Sequence, residues 1–232
     1  MPIIDFIVSH YVLMILLAVA TVINFVWLFF NRKDLKMNIP ILIVFSLLHS
    51  IIGVLFVVIF AYIEAGFDFE AIGNMSLYGG VFFMPIVYLL YALIRKVSIG
   101  RAFDIFTISI VSTLFFARIN CIISGCCRGI LIGDTGIRVP TRELELLFYA
   151  LFVIFTLTKI YKNESNCYMY PIYMFSYGVF RFIIEFLREA DGESIFHMGH
   201  IWSIISIVIG LGFILGMKYL RGKKNEKENI NQ

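Results

Sequence analysis

Seven times in its 232 residues this chain runs for about 20 mostly apolar positions, each run long enough as a helix to cross about 30 Å of hydrocarbon. The runs predict helices over roughly 10–30, 39–64, 77–95, 103–123, 144–160, 168–188 and 199–219. Composition agrees: 60% of residues are hydrophobic and 15% charged, against about 45–50% and about 25% for soluble domains. No segment between the runs is long enough for a soluble domain. The expected fold is all-α and polytopic, a single integral membrane domain over 1–232 with a short, frayed polar tail over 221–232. A formal charge of +3 gives no reason to invoke nucleic acid. Ala18-Val19-Ala20 resembles a signal-peptide cleavage site, but no Lys or Arg precedes it, Asp5 does, and the apolar run continues to Phe30. The first run is therefore read as a retained span.

Orientation follows from the basic residues of the short loops. Arg32, Lys33 and Lys36, then Arg95, Lys96 and Arg101, then Lys159 and Lys162, and finally Lys218, Arg221, Lys223, Lys224 and Lys227 fall on one side of seven spans. They are 13 of the chain's 19 basic residues. The loop from Ala65 to Ser76 has none. The N-terminus is expected outside and the C-terminus in the cytoplasm.

The other six are all arginines: Arg118, Arg128, Arg138, Arg142, Arg181 and Arg188. Each falls in the outer half of a span or on the outer side, so the positive-inside pattern leaves them unexplained. Arginine without lysine suits bidentate recognition of phosphate or carboxylate; alternatively, some snorkel to outer-leaflet headgroups. Arg181 and Arg188 sit with Glu185 in the sixth run. At about 100° per residue, they share one face with Tyr170, Tyr173 and Tyr177, opposite Ile172, Phe175, Val179, Phe182, Ile183 and Phe186. An arginine at the membrane centre costs roughly 2.5–3.5 kcal/mol by insertion scales. Such a stripe therefore marks a polar cavity, or a structural ion pair between spans with Glu185 as partner.

Three further segments carry chemistry. In Ser76-Leu77-Tyr78-Gly79-Gly80, paired glycines permit a close approach by a ligand or another backbone, and Tyr78 supplies a hydroxyl; plain helix packing is the alternative. In Ala117-RINCIISGCCR-Gly129, Arg118, Cys121 and Gly125 lie on one helical face. Cys121, Cys126 and Cys127 invite a metal or redox reading. However, vicinal Cys126 and Cys127 rarely form an unstrained disulfide, and no histidine is near in sequence; His197 and His200 approach only through the fold. The cysteines are expected to bind no metal. The loop Gly129–Glu143, with Gly129, Gly133, Gly136 and Pro140, is either a cover over the cavity or a solvated connector.

In this order the segments resemble the prolipoprotein diacylglyceryl transferase family, a seven-span fold, from about Ser76 to Ser203. The family's arginine- and glutamate-bearing sixth helix is similar to Tyr177–Arg188, and its long signature to Ala117–Gly129, with Arg118, Gly125 and Gly129 in matching places. Its loop proline, hydroxyl residue and glutamate match Pro140, Thr141 and Glu145, and its Met-Gly-Gln segment corresponds to Met198-Gly199-His200. The family's histidine before the paired glycines is Tyr78 here. Its signature asparagine and glutamate fall on Cys121 and Cys126, an inner glycine on Asn120, and its loop histidine on Val139. Arginine positions are kept while several proton-handling positions change.

The resemblance implies transfer of the diacylglyceryl group of phosphatidylglycerol to the lipobox cysteine of a prolipoprotein signal peptide, in a bacterial plasma membrane and with no cofactor. It implies catalytic roles for Arg118, Arg181 and Tyr78. Substrate binding falls to Glu185, Arg188, Gly79, Gly80, Asn120, Gly125, Gly129 and Glu145. The alternatives are a relative using another acceptor and a non-catalytic lipid-binding or transport protein.

Overall fold

A computed structural model describes residues 2–69, 75–162, 164, 168–189 and 196–230, with side chains from Tyr11 to Leu220. Among them are seven α-helices: α1 (Pro2–Phe30), α2 (Ile39–Glu64), α3 (Tyr78–Arg95), α4 (Ile99–Ser124), α5 (Thr141–Tyr161), α6 (Met169–Glu185) and α7 (Met198–Ile230). The described residues form no strand beyond two isolated bridges. Six of the helices are long and apolar enough to cross a membrane. The exception is α6, which has 17 residues and carries Arg181 and Glu185.

The boundaries differ from the hydropathy reading where local chemistry intervenes. The sixth helix stops at Glu185 rather than at 188, because Arg188 pairs its backbone with Gly129. The seventh runs on to Ile230 through the segment expected to fray; Lys223, Lys224, Glu226, Lys227 and Glu228 are good helix formers. α4 begins at Ile99, four residues before the expected start, because Gly100 and Arg101 continue the helix; Arg101 Nη2 pairs with Asp34 at 2.8 Å.

Helices α2, α4 and α6 end, and α3, α5 and α7 begin, at one end of the bundle. At the opposite end the basic loops are tied to each other. Lys36 Nζ donates to the Lys96 carbonyl at 2.9 Å, and Arg95 donates to the Lys36 carbonyl. Lys36 and Lys96 both adopt left-handed backbone (φ 50°) where α1 and α3 give way to their loops.

Close packing of α6 on α7 rests on small residues, as expected where lipid supplies no hydrophobic drive between helices. A Cβ on Gly178 would lie 2.8 Å from Ile207 and from the Ser203 carbonyl; one on Gly210 would lie 2.6 Å from the Phe175 nitrogen. Ser206 Oγ donates to the Met174 carbonyl at 2.8 Å. This packing turns the α6 stripe inward. Tyr170, Tyr173, Tyr177, Arg181 and Glu185 are buried, while Val179, Ile183 and Phe186 on the other face are exposed, as the periodicity predicts.

Candidate active site

Glu145, in the second turn of α5, is the centre of the charged cluster. Its carboxylate is 1% exposed and pairs with two guanidiniums, Arg118 of α4 and Arg181 of α6. Arg181 also meets Glu185 one turn on, at 2.8 Å, and Arg188 reaches both Glu185 oxygens at 3.2 Å. Three arginines against two glutamates leave one positive charge in excess. Buried charges survive only when paired in this way. The pairing also fixes where each guanidinium points. The Nε atoms of Arg118, Arg181 and Arg188 keep no hydrogen-bond partner among the described residues.

The three arginines line one chamber of about 260 Å³, together with Glu64, Tyr78, Asn120, Glu185 and Gly199. Arg118 and Arg181 thus face a shared space, and the buried Asn120 Oδ1 in the same wall has no hydrogen-bond partner among the described residues. Tyr78 OH is committed to α7: it lies 2.6 Å from Ser203 Oγ and donates to the Gly199 carbonyl at 3.2 Å. That geometry makes Tyr78 a positioning group for the first turn of α7. A side chain on Gly199 would have to displace the Glu185 carboxylate from its arginines, since a Cβ there would lie 2.6 Å from the carboxyl carbon.

Beside the chamber lies a narrow groove of about 50 Å³, its lining almost wholly apolar, which shares Leu13, Met75, Leu77 and Ala117 with it. Gly80, Val57, Met84 and Leu114 form its deeper wall. A charged chamber opening beside an apolar groove has the polarity profile of an amphiphile.

The remaining glycines of the expected site do different work. Gly79 packs against the Phe56 carbonyl of α2, Gly125 takes the left-handed conformation that closes α4 (φ 71°), and Gly129 lies against the Val139 carbonyl. None of these three lines the chamber. The loop after Gly129 is neither a detached cover nor a plain connector. It folds back as a small hairpin, with Ile132 N to Ile137 O at 2.8 Å and Val139 N to Ile130 O at 3.0 Å. The hairpin docks on the end of α6 through Ile130 N to Leu187 O and Glu189 N to Arg128 O.

The peripheral arginines brace this turn, where the sequence pattern offers only ligand binding or snorkelling to headgroups. Arg128 Nε donates to the Gly125 carbonyl at 2.8 Å, and Arg138 reaches the Gly129 carbonyl and Glu189. Arg142 donates to the carbonyls of Cys121 and Cys126 at 3.4 and 3.5 Å.

Two features escaped the sequence. Glu64, the last residue of α2, lines the chamber yet belongs to none of the ion pairs formed by the described residues. Its signal was an acid at a helix C-terminus, where the helix dipole disfavours it. Cys121 also joins Cys126 and Cys127, whose thiols all lie within 4.8 Å of one another. The expectation of no metal rests on the vicinal placement of Cys126 and Cys127 and on the lack of a nearby histidine, and takes no account of how closely the three thiols gather. The Cys127 thiol is drawn well below the ordinary thiol range by hydrogen bonds with Cys121 and Cys126, and then by the charges of Arg118 and Arg188, against the effect of burial.

Comparison with known proteins adds a family to this geometry. The family model described as prolipoprotein diacylglyceryl transferase matches residues 1–216. Proteins named phosphatidylglycerol–prolipoprotein diacylglyceryl transferase are similar over most of the chain. The Ehrlichia canis protein is 31% identical over 165 residues, 61% of this chain and 62% of that protein. The one from Chlorobaculum tepidum is 27% identical over 167 residues (65% and 58%). That of Francisella tularensis subsp. holarctica is 31% identical over 179 residues (68% and 65%). The chain thus spans about three-fifths of the length of the first two.

Proposed function

This chain belongs to the prolipoprotein diacylglyceryl transferase family, and from that premise we propose that it transfers the diacylglyceryl group of phosphatidylglycerol to a cysteine thiol in the lipobox of a prolipoprotein signal peptide. The observation that carries the reading is the pair Arg118 and Arg181, held by one carboxylate in the wall of a chamber that adjoins an apolar groove. The phosphate of the headgroup would sit among the arginines and an acyl chain along the groove.

In the chemical step the thiolate sulfur attacks the diacylglyceryl carbon bonded to the phosphate oxygen. A carbon–sulfur bond forms, the carbon–oxygen bond breaks, and the electron pair leaves on glycerol phosphate. Negative charge on the phosphate grows as this happens, and prearranged guanidiniums stabilise it most where water is excluded. Because Glu145 already occupies Arg118 and Arg181, a singly charged lipid competes for them poorly and the more highly charged leaving group competes better. Catalysis depends on that difference. The thiol must first lose its proton. Glu64 is the acceptor we assign, since Glu185 is held by two arginines and Tyr78 by α7.

The same reading makes the chain one integral domain of a bacterial plasma membrane, with the chamber toward the outer face and the C-terminus in the cytoplasm. Purified protein incubated with labelled phosphatidylglycerol and a lipobox peptide tests it. Label on the peptide cysteine is the expected result. Lipid retained without peptide product would make the chain a lipid-binding protein, and label on another acceptor would make it a transferase of different specificity.

A further inference from the structure

Three thiols meet at the turn that ends α4. Gly125 and Cys127 both take left-handed backbone, with φ of 71° and 55°. Those two reversals curl residues 125–127 back over the last turn of the helix, which is how Cys126 and Cys127 reach Cys121 five and six positions earlier. A left-handed conformation is uncommon for a residue other than glycine and costs roughly 1 kcal/mol or more. Here Cys127 adopts it and its thiol faces its neighbours. The turn is held from outside: Arg142 donates to the Cys121 and Cys126 carbonyls, Arg128 to the Gly125 carbonyl, and Thr141 Oγ1 to the Cys127 carbonyl at 3.3 Å. Arginine around cysteine favours thiolate over thiol.

We propose that Cys121, Cys126 and Cys127 form a three-thiolate site for a thiophilic d10 cation, Zn²⁺ or Cu⁺. The three sulfurs lie within 4.8 Å of one another. Metal–sulfur bonds of about 2.3 Å require sulfur–sulfur separations of roughly 3.8–4.0 Å, so small side-chain rotations complete the site without backbone movement. Three thiolates select soft ions over Mg²⁺ or Ca²⁺. Cu⁺ is satisfied by three sulfurs, whereas Zn²⁺ takes a water in its fourth position. Access is open, since Cys126 is exposed and the other two are half-buried.

The ion would clamp the wall of the chamber. Cys121 and Cys127 both line it, and Cys121 stands one helical turn after Arg118. The site is independent of the transferase reading, because it needs only the thiols and the turn.

The test uses the full chain in detergent, reduced, stripped of metal and kept anaerobic. It is titrated with Zn²⁺ alone and with Cu⁺ alone, and bound ion is counted by elemental analysis after desalting. One ion per chain is expected from at least one titration, with Cys121, Cys126 and Cys127 protected from alkylation and a raised thermal midpoint. Cys126→Ser and Cys127→Ala should each abolish stoichiometric binding while the protein remains folded by circular dichroism. The proposal is overturned if neither ion is retained, or if retention survives both substitutions. A disulfide between any two of the three in protein alkylated directly on extraction from cells would also overturn it.

Discussion

Two of the polar clusters buried among the described residues are built on opposite principles. One joins Arg118, Glu145, Arg181, Glu185 and Arg188 at the end where α4 and α6 finish. The other lies among α1, α2, α3 and α4. There Asn24 Nδ2 donates to Thr113 Oγ1 at 3.1 Å and lies 3.3 Å from His49 Nδ1, while His49 Nε2 lies 2.8 Å from Tyr88 OH. The second cluster carries no formal charge with histidine neutral, and its groups bond mainly one another. The first is built of ion pairs, leaves guanidinium nitrogens unbonded and opens on a charged chamber, whereas His49 and Thr113 of the second face only the narrow apolar groove. Burial alone therefore does not mark a functional site in a membrane protein; paired charges around a polar chamber do. The neutral network is glue, of the kind that averages about 0.6 kcal/mol per interhelical hydrogen bond.

The contrast is broken hardest by Glu145→Gln. This change leaves the buried Arg118 without its ion-pair partner and Arg181 with Glu185 alone, and breaking a buried pair costs about 3–5 kcal/mol. Folded yield and thermal midpoint should fall sharply and transfer should vanish; an unchanged midpoint would mean that the arginines are not held by this carboxylate. Next comes Arg181→Lys, which keeps the charge but not the planar fork. Transfer should slow by about 10²–10³ while phosphatidylglycerol binding is largely retained. Normal turnover in this variant would leave Arg181 structural. Glu64→Gln should slow transfer by roughly 10² through loss of the proton acceptor, with stability unmoved, and a faster-reacting thiol of lower pKa should recover part of the rate.

The neutral cluster should behave differently. Asn24→Leu is expected to lower stability by roughly 1 kcal/mol and leave the transfer rate alone; a large rate loss would mean that the two clusters are coupled. Smallest of all is Arg138→Ala, whose pair with Glu189 is partly exposed. A shift within about 0.5 kcal/mol is expected, and turnover that fell with it would place the hairpin in the reaction.

The spans were legible because hydrophobicity over 20 positions survives any local detail. The stripe on α6 was legible for the same reason, a periodicity within one helix. Glu145 as hub was not. Its partners lie 27 and 36 positions away on two other helices, and periodicity carries no information about which helices meet. The roles of Arg128, Arg138 and Arg142 were hidden because each bonds carbonyls of a turn whose shape depends on Gly125 and Cys127. The thiol cluster was hidden by the same two residues. Spacing along the sequence places Cys121 and Cys126 beyond a single turn, and only the left-handed reversal brings them back.

The shortness and charge of α6 bear on how the chain enters a membrane at all. A translocating channel samples each segment on its own length and hydrophobicity, and α6, with 17 residues including an arginine and a glutamate, is the shortest of the seven. Its tight seam with α7, through Gly178, Ser206 and Gly210, supplies what it lacks. The hypothesis that follows is that the two helices enter as a pair, with Arg181 held by Glu185 on its own helix and then also by Glu145, already delivered by α5. Glycosylation mapping during cell-free synthesis would show it. Insertion of α6 without α7 would refute paired entry, whereas a segment stalled until α7 emerges would make the seam a requirement of biogenesis as well as of the finished fold.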